Sequence, residues 1–289
     1  SVLPIPVGPK MASTVIPQSS MAGFRAMQVR GSTVLLTGAT GGIGHAIARR
    51  LHGAGASLIL TGRRTDVLQP LAEAVGGRAI AANLADRDDV QRLIEEAGEV
   101  DILVANAGLP ASGRLMDFRI DQIDRALDVN LRAPMVLARV LGERMVERRR
   151  GHIVFMSSLA GKSGQAIGSV YSATKFGLRG FGQALRGDLA PHGVGVSVIF
   201  PGFVRQAGMF AESGAKLPAG VGTVSPEQVA DAVLKAIERN KGEIDVAPLG
   251  LRIGANLAGL APDLAARIAG LLGGNKVAEE LAAGQVSKR

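Results

Sequence analysis

The sequence predicts a single α/β domain built on a doubly wound parallel sheet of about seven strands, with helices on both faces. Seven short and almost uninterrupted apolar runs are typical of strands that are buried on both faces. Segments with the helical spacing of apolar residues separate these runs. Because crossovers between parallel strands are right-handed, such alternation covers both faces of one sheet. The 289 residues contain no repeat of solenoid length, which fits one domain.

The predicted elements alternate along the chain from residue 33. Strands are expected at residues 33–37, 57–61, 78–83, 101–106, 152–157, 194–200 and 243–246. Helices are expected at residues 43–51, 88–97, 120–146, 169–190 and 226–238. The last of these helices begins with a helix cap, a proline at the first helical position and an early acid: Ser225, Pro226 and Glu227.

The composition excludes several kinds of site. There is no cysteine, so disulfides, thiol redox chemistry and thiolate metal ligands are excluded. Four scattered histidines disfavour a histidine-ligated metal, and 3% aromatic residues disfavour stacking of single-stranded nucleic acid. The formal charge of +8 is only a weak indication of an anionic partner over this length. The chain contains one tyrosine, which makes that residue easy to follow.

The first 30 residues are expected to form a flexible leader. Four prolines interrupt every apolar run there, which argues against a secretory signal, and Met11, Met21 and Met27 are all possible natural starts. No run of about 18 uncharged apolar residues occurs, so no transmembrane helix is expected. The sequence therefore predicts a soluble, cytoplasmic protein.

A glycine-rich turn follows the first predicted strand and leads into the first helix. Residues 37–44 are Thr-Gly-Ala-Thr-Gly-Gly-Ile-Gly. Glycines allow a sharp turn and a close approach to a pyrophosphate, while the helix N-terminus offers free N–H groups. A tight strand-to-helix connection without a ligand is the alternative. The position between strand and helix favours a phosphate-binding turn.

The end of the second strand indicates which nucleotide this turn would bind. NAD sites usually carry an acid there, whereas the 2′-phosphate of NADP needs a basic residue. Here the strand runs into Arg63 and Arg64, with no acid before Asp66. The sequence therefore favours NADP(H) over NAD(H), with a solvated arginine turn as the alternative.

Tyr171 and Lys175 lie four residues apart in a predicted helix, so their side chains share one face. A nearby ammonium stabilises a phenolate and lowers the phenol pKa, which would make the tyrosine a general acid or base at neutral pH. Ser158 adds a hydroxyl at the carboxyl end of a strand, where ligands of such sheets bind. A surface pair of Tyr171 and Lys175 is the alternative.

Six motifs together resemble, in order and spacing, the short-chain dehydrogenase/reductase family, in its shorter branch without a separate substrate domain. The resemblance covers residues 32–246 and implies a Rossmann-like fold and hydride transfer between a nicotinamide cofactor and a ketone or alcohol. The motifs are residues 37–44, Ala105-Asn106-Ala107-Gly108, Asn130, Ser158, Tyr171-Ser172-Ala173-Thr174-Lys175 and Pro201-Gly202.

The resemblance also implies catalytic roles. Tyr171 would donate the proton in carbonyl reduction, and Lys175 would lower the tyrosine pKa and bind the nicotinamide ribose. Ser158 would bond the substrate oxygen; Ser157 is the rival, but Ser158 lies at the family's usual distance from the tyrosine. Asn130 would anchor a water that links Lys175 to solvent.

The cofactor, by the same resemblance, would lie along the carboxyl ends of the strands. For the asparagines of the motifs, ordinary capping of a turn or helix is the alternative. No metal ligands are predicted. The expected cofactor residues are Gly38, Thr40, Gly42, Ile43, Gly44, Arg63, Asn83, Leu84, Asn106, Ala107, Gly108, Tyr171, Lys175, Pro201, Gly202 and Val204.

Three positions depart from the family pattern. Asn83 stands where an Asp is common, and its carbonyl can accept the same bond from adenine. Gly41 stands where NADP enzymes often carry a basic residue, which leaves Arg63 as the main phosphate partner. Gln206 replaces a threonine that commonly contacts the carboxamide. None of these changes removes the catalytic residues.

The substrate would be selected by three loops, residues 109–114, 159–168 and 203–224. They are rich in Gly, Ala and Leu, which favours a lipophilic ketone or alcohol. Their main polar candidates are Gln165, Arg114, Arg205 and Lys216. One of the arginines could instead hold a carboxylate; alternatively, the arginines and Lys216 are simply solvated. The apolar stretch 247–272 could cover the cleft, lie on a membrane, contact a partner subunit or, most simply, close the core with two short helices.

The predicted organisation is a leader (1–30), a dinucleotide-binding catalytic domain (31–248) and a C-terminal helical extension (249–289) packed on that domain.

Helices 120–146 and 169–190 match those at the family's dimer interface, so a homodimer or homotetramer is expected. A sugar-nucleotide epimerase or dehydratase is disfavoured because too few residues follow Gly202. A catalytically weak nucleotide sensor or scaffold is the alternative, and nucleic-acid binding is not expected.

Overall fold

The computed structural model describes residues 27–218, 220–263, 267 and 274–288. Most of the predicted leader, and part of the apolar stretch 247–272, therefore lie outside the described residues. The end of the predicted leader is described, and Met27 and Val29 are buried in the core beside the first strand. The folded domain thus includes residues 27–30 as well.

Seven strands form one parallel sheet, which confirms the predicted fold class within the part of the chain described. Their order across the sheet is β3-β2-β1-β4-β5-β6-β7. The strands are β1 Thr33–Thr37, β2 Ser57–Gly62, β3 Arg78–Ala81, β4 Ile102–Ala105, β5 Gly151–Met156, β6 Val194–Pro201 and β7 Glu243–Val246.

Helices connect the strands and extend beyond the sheet at the C-terminus. No described helix has the length and apolar composition needed to cross a membrane. The helices are α1 Gly42–Gly53, α2 Thr65–Ala74, α3 Arg87–Ala97, α4 Ile120–Leu127, α5 Ala133–Glu147, α6 Ser169–Leu189, α7 Gly208–Ser213, α8 Pro226–Arg239, α9 Leu249–Ala258 and α10 Gly274–Gln285.

Three features of these helices differ from the prediction, the first being α7, which lies within the expected loop 203–224. Helix α2 was not predicted, because it is short and contains Pro70. The predicted helix 120–146 is interrupted by a π-helical turn at Asp128–Arg132, which carries the buried Asn130. Such turns insert a residue into the helix and commonly occur at functional sites.

The sheet is covered on both faces by apolar helix surfaces. Neighbouring residues of β1 point to opposite faces: Leu36 belongs to a cluster with residues of α1, α2 and α8, and Leu35 to one with residues of α3, α5 and α6. Both side chains are fully buried. This is the doubly wound arrangement that the strand pattern predicts.

The strand order reverses between β1 and β4, and the two turns that follow these strands touch. The Thr37 hydroxyl accepts hydrogen bonds from the backbone N–H groups of Asn106 and Ala107, both at 3.0 Å. The Asn106 amide donates to the carbonyl oxygens of Thr37 (3.0 Å) and Gly38 (3.2 Å). Ligands of doubly wound sheets bind at such a reversal, outside the carboxyl ends of the strands.

A buried charge cluster joins the opposite edge of the sheet to helix α9. The Lys162 ammonium, 5% exposed, lies 2.6 Å from a carboxylate oxygen of Asp245 and 3.0 Å from one of Glu243, both on β7. It also donates to the side-chain oxygen of Asn256 on α9 (3.4 Å), and Asn256 in turn donates to Asp245 (3.1 Å). Arg179 of α6 pairs with Glu243 at 2.8 Å. The cluster therefore holds α9 against the segment that follows β5.

We expect Lys162→Met to lower the free energy of unfolding by about 3 kcal/mol, because it leaves the nearly buried Asp245 carboxylate without its cation, while Glu243 keeps Arg179. Urea denaturation followed by circular dichroism measures the change. Lys235→Met, at an exposed position of α8, is the matched control and should have little effect. Equal losses in the two variants would contradict a stabilising role for the cluster.

Candidate active site

A continuous cleft of about 1660 Å³ lies along the carboxyl ends of the strands. It runs from the glycine-rich turn, past the ends of β4 and β5, to helices α9 and α10. Every predicted site residue lines this cleft except Asn130. The sequence motifs are therefore brought together in one place.

The glycine-rich turn is packed so closely that side chains would not fit at three of its glycines. Gly38 has φ +66°, and a Cβ there would lie 2.7 Å from the Ala107 Cα. A Cβ at Gly44 would lie 2.3 Å from the Gly38 carbonyl oxygen. At Gly42 it would lie 2.5 Å from the Ala207 Cβ. The N-terminus of α1 thus opens onto a compact backbone cradle without an acidic residue in the first helical turn, as an anion requires.

Positive charge collects where β2 ends beside this turn. The Arg64 guanidinium donates a hydrogen bond to the Thr40 carbonyl, and Arg63 is exposed and lines the cleft. Partial burial, together with the charges of Arg49 and Arg64, lowers the pKa of His45. No acidic residue among the described residues lines this end of the cleft. The arrangement can hold an anionic group.

Asn106 and Asn83, the two predicted cofactor asparagines, both form hydrogen bonds within the protein. Asn106 braces the glycine-rich turn through the bonds described above. The Asn83 side-chain oxygen accepts from the Ala85 N–H at 3.3 Å, and the Asn83 N–H donates to Asp89. Asn83 and the following Leu84 line the cleft. The Asn106 side chain does not cap its own turn or a helix, because its bonds run to the turn after β1 and hold that turn against the one after β4.

Two neighbouring serines after β5 point in different directions. The Ser158 side chain hydrogen-bonds with the Tyr171 hydroxyl and accepts the Ala160 N–H at 3.2 Å. The Ser157 hydroxyl instead donates to the Lys175 carbonyl oxygen of α6 at 3.0 Å and is buried. The structure thus brings Ser158, rather than Ser157, to the tyrosine hydroxyl, and uses Ser157 to attach helix α6 to the strand.

Burial governs the ionisation of the Tyr171 and Lys175 pair. Burial raises the pKa of Tyr171 to about 12, although the hydrogen bond with Ser158 opposes the rise. Burial also lowers the pKa of Lys175 to about 8. The Lys175 ammonium donates to the Met156 carbonyl oxygen at 2.9 Å and lies 5.6 Å from the centre of the tyrosine ring. The expectation of a lowered tyrosine pKa is therefore wrong for the protein without cofactor, because desolvation outweighs the distant positive charge.

Asn130 lies behind the cleft rather than in its wall. Its side chain is fully buried and pairs with the backbone of Leu109, accepting the N–H at 2.6 Å and donating to the carbonyl at 3.0 Å. A Cβ at Gly108 would lie 3.4 Å from its side-chain oxygen. Asn130 therefore fixes the loop that follows β4. The predicted water contact remains a prediction.

The substrate side contains residues that the motifs did not include. Ala207 and Met209 lie over the glycine-rich turn and Gly108, in the segment that leads into α7. Gln206, which replaces the family's threonine, adopts φ +66° and is not among the residues that line the cleft. Helices α9 and α10 also line the cleft. Ala207 and Met209 fall within the predicted substrate loop 203–224, and α9 falls within the apolar stretch 247–272, for which covering of the cleft was one of several alternatives. Helix α10 lies beyond that stretch and was expected only as part of the C-terminal helical extension.

Comparisons with known proteins agree with this geometry. The family model for short chain dehydrogenase matches residues 32–218. A curated relative, the ketoacyl reductase HetN of Nostoc sp., is 39% identical over 225 residues, which are 75% of this chain and 78% of HetN.

Two solved structures have the same fold over most of their length. A short chain dehydrogenase/reductase family protein gives a TM-score of 0.71 at 31% identity, covering 76% of this chain and 97% of that one. A short-chain dehydrogenase from Sphingobium yanoikuyae in complex with NADPH gives 0.70 at 28% identity, covering 81% and 94%. From its sequence match, its sheet topology and its cleft, the chain belongs to the short-chain dehydrogenase/reductase family of NAD(P)-dependent enzymes that act on CH–OH groups.

Proposed function

We propose that the protein is an NADP(H)-dependent reductase of lipophilic ketones, with Tyr171 as the general acid and base. The observation that carries this proposal is the convergence of two hydroxyls and one ammonium beside the cleft. Ser158 and Tyr171 are hydrogen-bonded to each other, and the Lys175 ammonium lies 5.6 Å from the tyrosine ring centre. A carbonyl oxygen placed between the two hydroxyls would accept a bond from each.

The cleft fits a phosphorylated dinucleotide at its glycine end. Gly38 and Gly44 let the turn fold this tightly, since a Cβ at either position would clash with the backbone of the protein, and such a tight turn suits a pyrophosphate at the helix N-terminus. Pro201, Gly202 and Val204 line the cleft where β6 ends, on the side of Ser158 and Tyr171, and would hold the nicotinamide. When bound, the nicotinamide supplies or accepts the hydride.

The choice of NADP(H) rests on Arg63. Its exposed guanidinium lines the cleft at the end of β2, where the adenine ribose of a dinucleotide lies in this fold. Arg64 stands beside it but already donates to the Thr40 carbonyl. Arg63 therefore has the freer guanidinium for a 2′-phosphate, to which arginine binds in a bidentate manner.

The three catalytic side chains have separable tasks. Tyr171 would hold the transferable proton at its hydroxyl oxygen, and the phenol is protonated at neutral pH in the cofactor-free protein, because burial raises its pKa to about 12. Ser158 orients the carbonyl oxygen through its hydroxyl. The buried Lys175 ammonium favours the negative charge that develops on the phenol oxygen as the proton leaves.

The substrate class rests on the cleft wall and on one relative. Leu159, Ala160 and Phe203, next to the catalytic residues, line the cleft with apolar surface. HetN is named a ketoacyl reductase. A ketone on an apolar carbon chain fits both observations.

A homodimer or homotetramer is the proposed assembly. Exposed apolar side chains occur on the two predicted interface regions: Leu127 at the end of α4, Met135 on α5 and Phe176 on α6. Burial of such side chains against a second copy would remove them from water.

Tyr171→Phe should lower turnover of ketones by about a hundredfold or more, because the proton donor is removed while the ring remains. NADPH oxidation followed optically measures turnover. Thermal stabilisation by NADPH should be nearly unchanged. Ser158→Ala should also lower turnover, whereas Ser157→Ala should mainly lower the melting temperature, since Ser157 bonds to helix α6. Retained turnover in Tyr171→Phe would overturn the mechanism and favour a different acid.

The only tyrosine makes its ionisation directly measurable. In the folded, cofactor-free protein, the phenolate absorbance should develop near pH 12, because burial raises the Tyr171 pKa to about 12. In urea the same protein should titrate near pH 10. Circular dichroism at each pH verifies that the fold persists, and Tyr171→Phe gives the baseline. Ionisation of the folded protein at or below pH 10 would show that Lys175, rather than burial, dominates.

Arg63→Ala should weaken NADPH binding by about tenfold or more, through loss of a charge-assisted bond to the 2′-phosphate, and leave NADH binding unchanged. Melting temperatures with each cofactor measure both affinities. Arg239→Ala, at an exposed position on α8, is the control. Stronger stabilisation of the wild type by NADH than by NADPH would contradict the assignment.

A further inference from the structure

Helices α9 and α10 form a wall of the cleft that lies outside the matched family segment. The family model ends at residue 218, and the 0.71 TM-score neighbour is covered to 97% by only 76% of this chain. About a quarter of this chain is therefore not matched to that neighbour. Helices α9 and α10 are not peripheral, since residues from both line the same cleft as Ser158 and Tyr171.

The part of the cleft bounded by these helices is apolar. We name it the apolar arm and define it by Leu251, Gly254 and Ala258 of α9 and Val277 and Leu281 of α10. Of the described residues that α9 and α10 give to the cleft, all are glycine or apolar except Gln285. The Gln285 amide donates to the Met209 carbonyl oxygen at 3.3 Å, which ties α10 to α7.

Both helices are held in place by specific contacts. Asn256 of α9 bonds to Lys162 and Asp245 of the buried charge cluster. On α10, a Cβ at Gly284 would lie 2.1 Å from the Ser213 carbonyl oxygen, so α10 packs directly on α7. Glu279 pairs with Arg114 at 2.9 Å. The apolar arm is therefore a formed part of the cleft on both of its sides.

The volume supports a second ligand beside the dinucleotide. Sites for one small molecule are about 300–1,000 Å³, and this cleft measures about 1660 Å³. The charges separate along it, with Arg63 and Arg64 at the glycine end and apolar side chains at the other. The catalytic hydroxyls lie between the two ends.

From these observations we infer that the apolar arm binds the hydrocarbon chain of the substrate, so that the C-terminal helices select ketones with a long unbranched chain. The inference rests on the proposed reductase function. The chain would run from the carbonyl at Ser158 and Tyr171 along α9. Removal of its methylene groups from water would then contribute to binding in proportion to chain length.

Gly254 offers a direct test because it lines the arm and has open space above it. A Cβ there meets no heavy atom within 4 Å, so a larger side chain would fill the arm without disturbing the helix. Leucine is also a better helix former than glycine. Gly187→Leu is the matched control, since Gly187 is exposed in α6, has equally open space and does not line the cleft.

The probes are the N-acetylcysteamine thioesters of 3-oxobutanoate, 3-oxooctanoate and 3-oxododecanoate, reduced with NADPH. For the wild type, kcat/KM should rise with chain length. Gly254→Leu should lower kcat/KM for the longest probe by about tenfold and leave the shortest nearly unchanged. Gly187→Leu should change neither. An equal effect of Gly254→Leu on all three probes, or none, would overturn the inference.

A binding assay separates this inference from the reductase function. Fluorescence of cis-parinaric acid, an unbranched fatty acid, reports occupation of the arm without turnover. The fluorescence should rise when the wild type or Gly187→Leu is added. The affinity of Gly254→Leu for the fatty acid should be at least severalfold lower. If no probe is reduced but this pattern holds, the reductase proposal fails and the apolar arm stands. If the probes are reduced and Gly254→Leu binds the fatty acid as the wild type does, the apolar arm fails alone.

Discussion

The contact between the turns after β1 and β4 is the constraint on which the site depends. The Thr37 hydroxyl accepts two backbone N–H groups of the β4 turn, and the Asn106 amide returns two bonds to the β1 turn. Gly38 lies so near Ala107 that a Cβ would come within 2.7 Å of its Cα. Both turns are thus locked at the reversal of strand order. These two turns set the positions of the glycine-rich turn's cradle, the positively charged end of the cleft and the loop held by Asn130.

A second contact, between the end of β5 and helix α6, positions Ser158 and Tyr171 relative to these two turns. Ser157 bonds to the Lys175 carbonyl, which seats helix α6 on the end of β5 and leaves Ser158 to meet Tyr171. The same close packing desolvates the pair, which raises the pKa of Tyr171 and lowers that of Lys175. Both shifts favour neutral side chains. Burial thus holds Tyr171 as the protonated phenol in the cofactor-free protein.

Short sequence patterns predicted the features that interactions between nearby residues determine, such as strand bounds and side chains that share a helix face. The apolar runs gave β1 and β7 with both ends correct, and the four-residue spacing brought Tyr171 and Lys175 to one helix face. Contacts between residues far apart in the sequence could not be predicted. The charge cluster joins Lys162 to β7, about eighty residues away, and no sequence pattern near Lys162 indicates this contact. Helix α2 was missed because Pro70 lowers its helix propensity. The tyrosine pKa was predicted in the wrong direction because spacing reveals a charge but not the burial that outweighs it.

The cleft separates three tasks along its length, and this explains why a single fold can vary each one alone. In the function proposed above, cofactor choice would rest on the guanidinium of Arg63 at the end of β2. Proton transfer would rest on Ser158, Tyr171 and Lys175, whose positions follow from the sheet and α6. Substrate choice would rest on α9 and α10, which attach through Asn256 and the Gly284 contact. Because the attachments are distinct, a change in the C-terminal wall would, under this proposal, alter which ketone fits without moving Ser158, Tyr171 and Lys175.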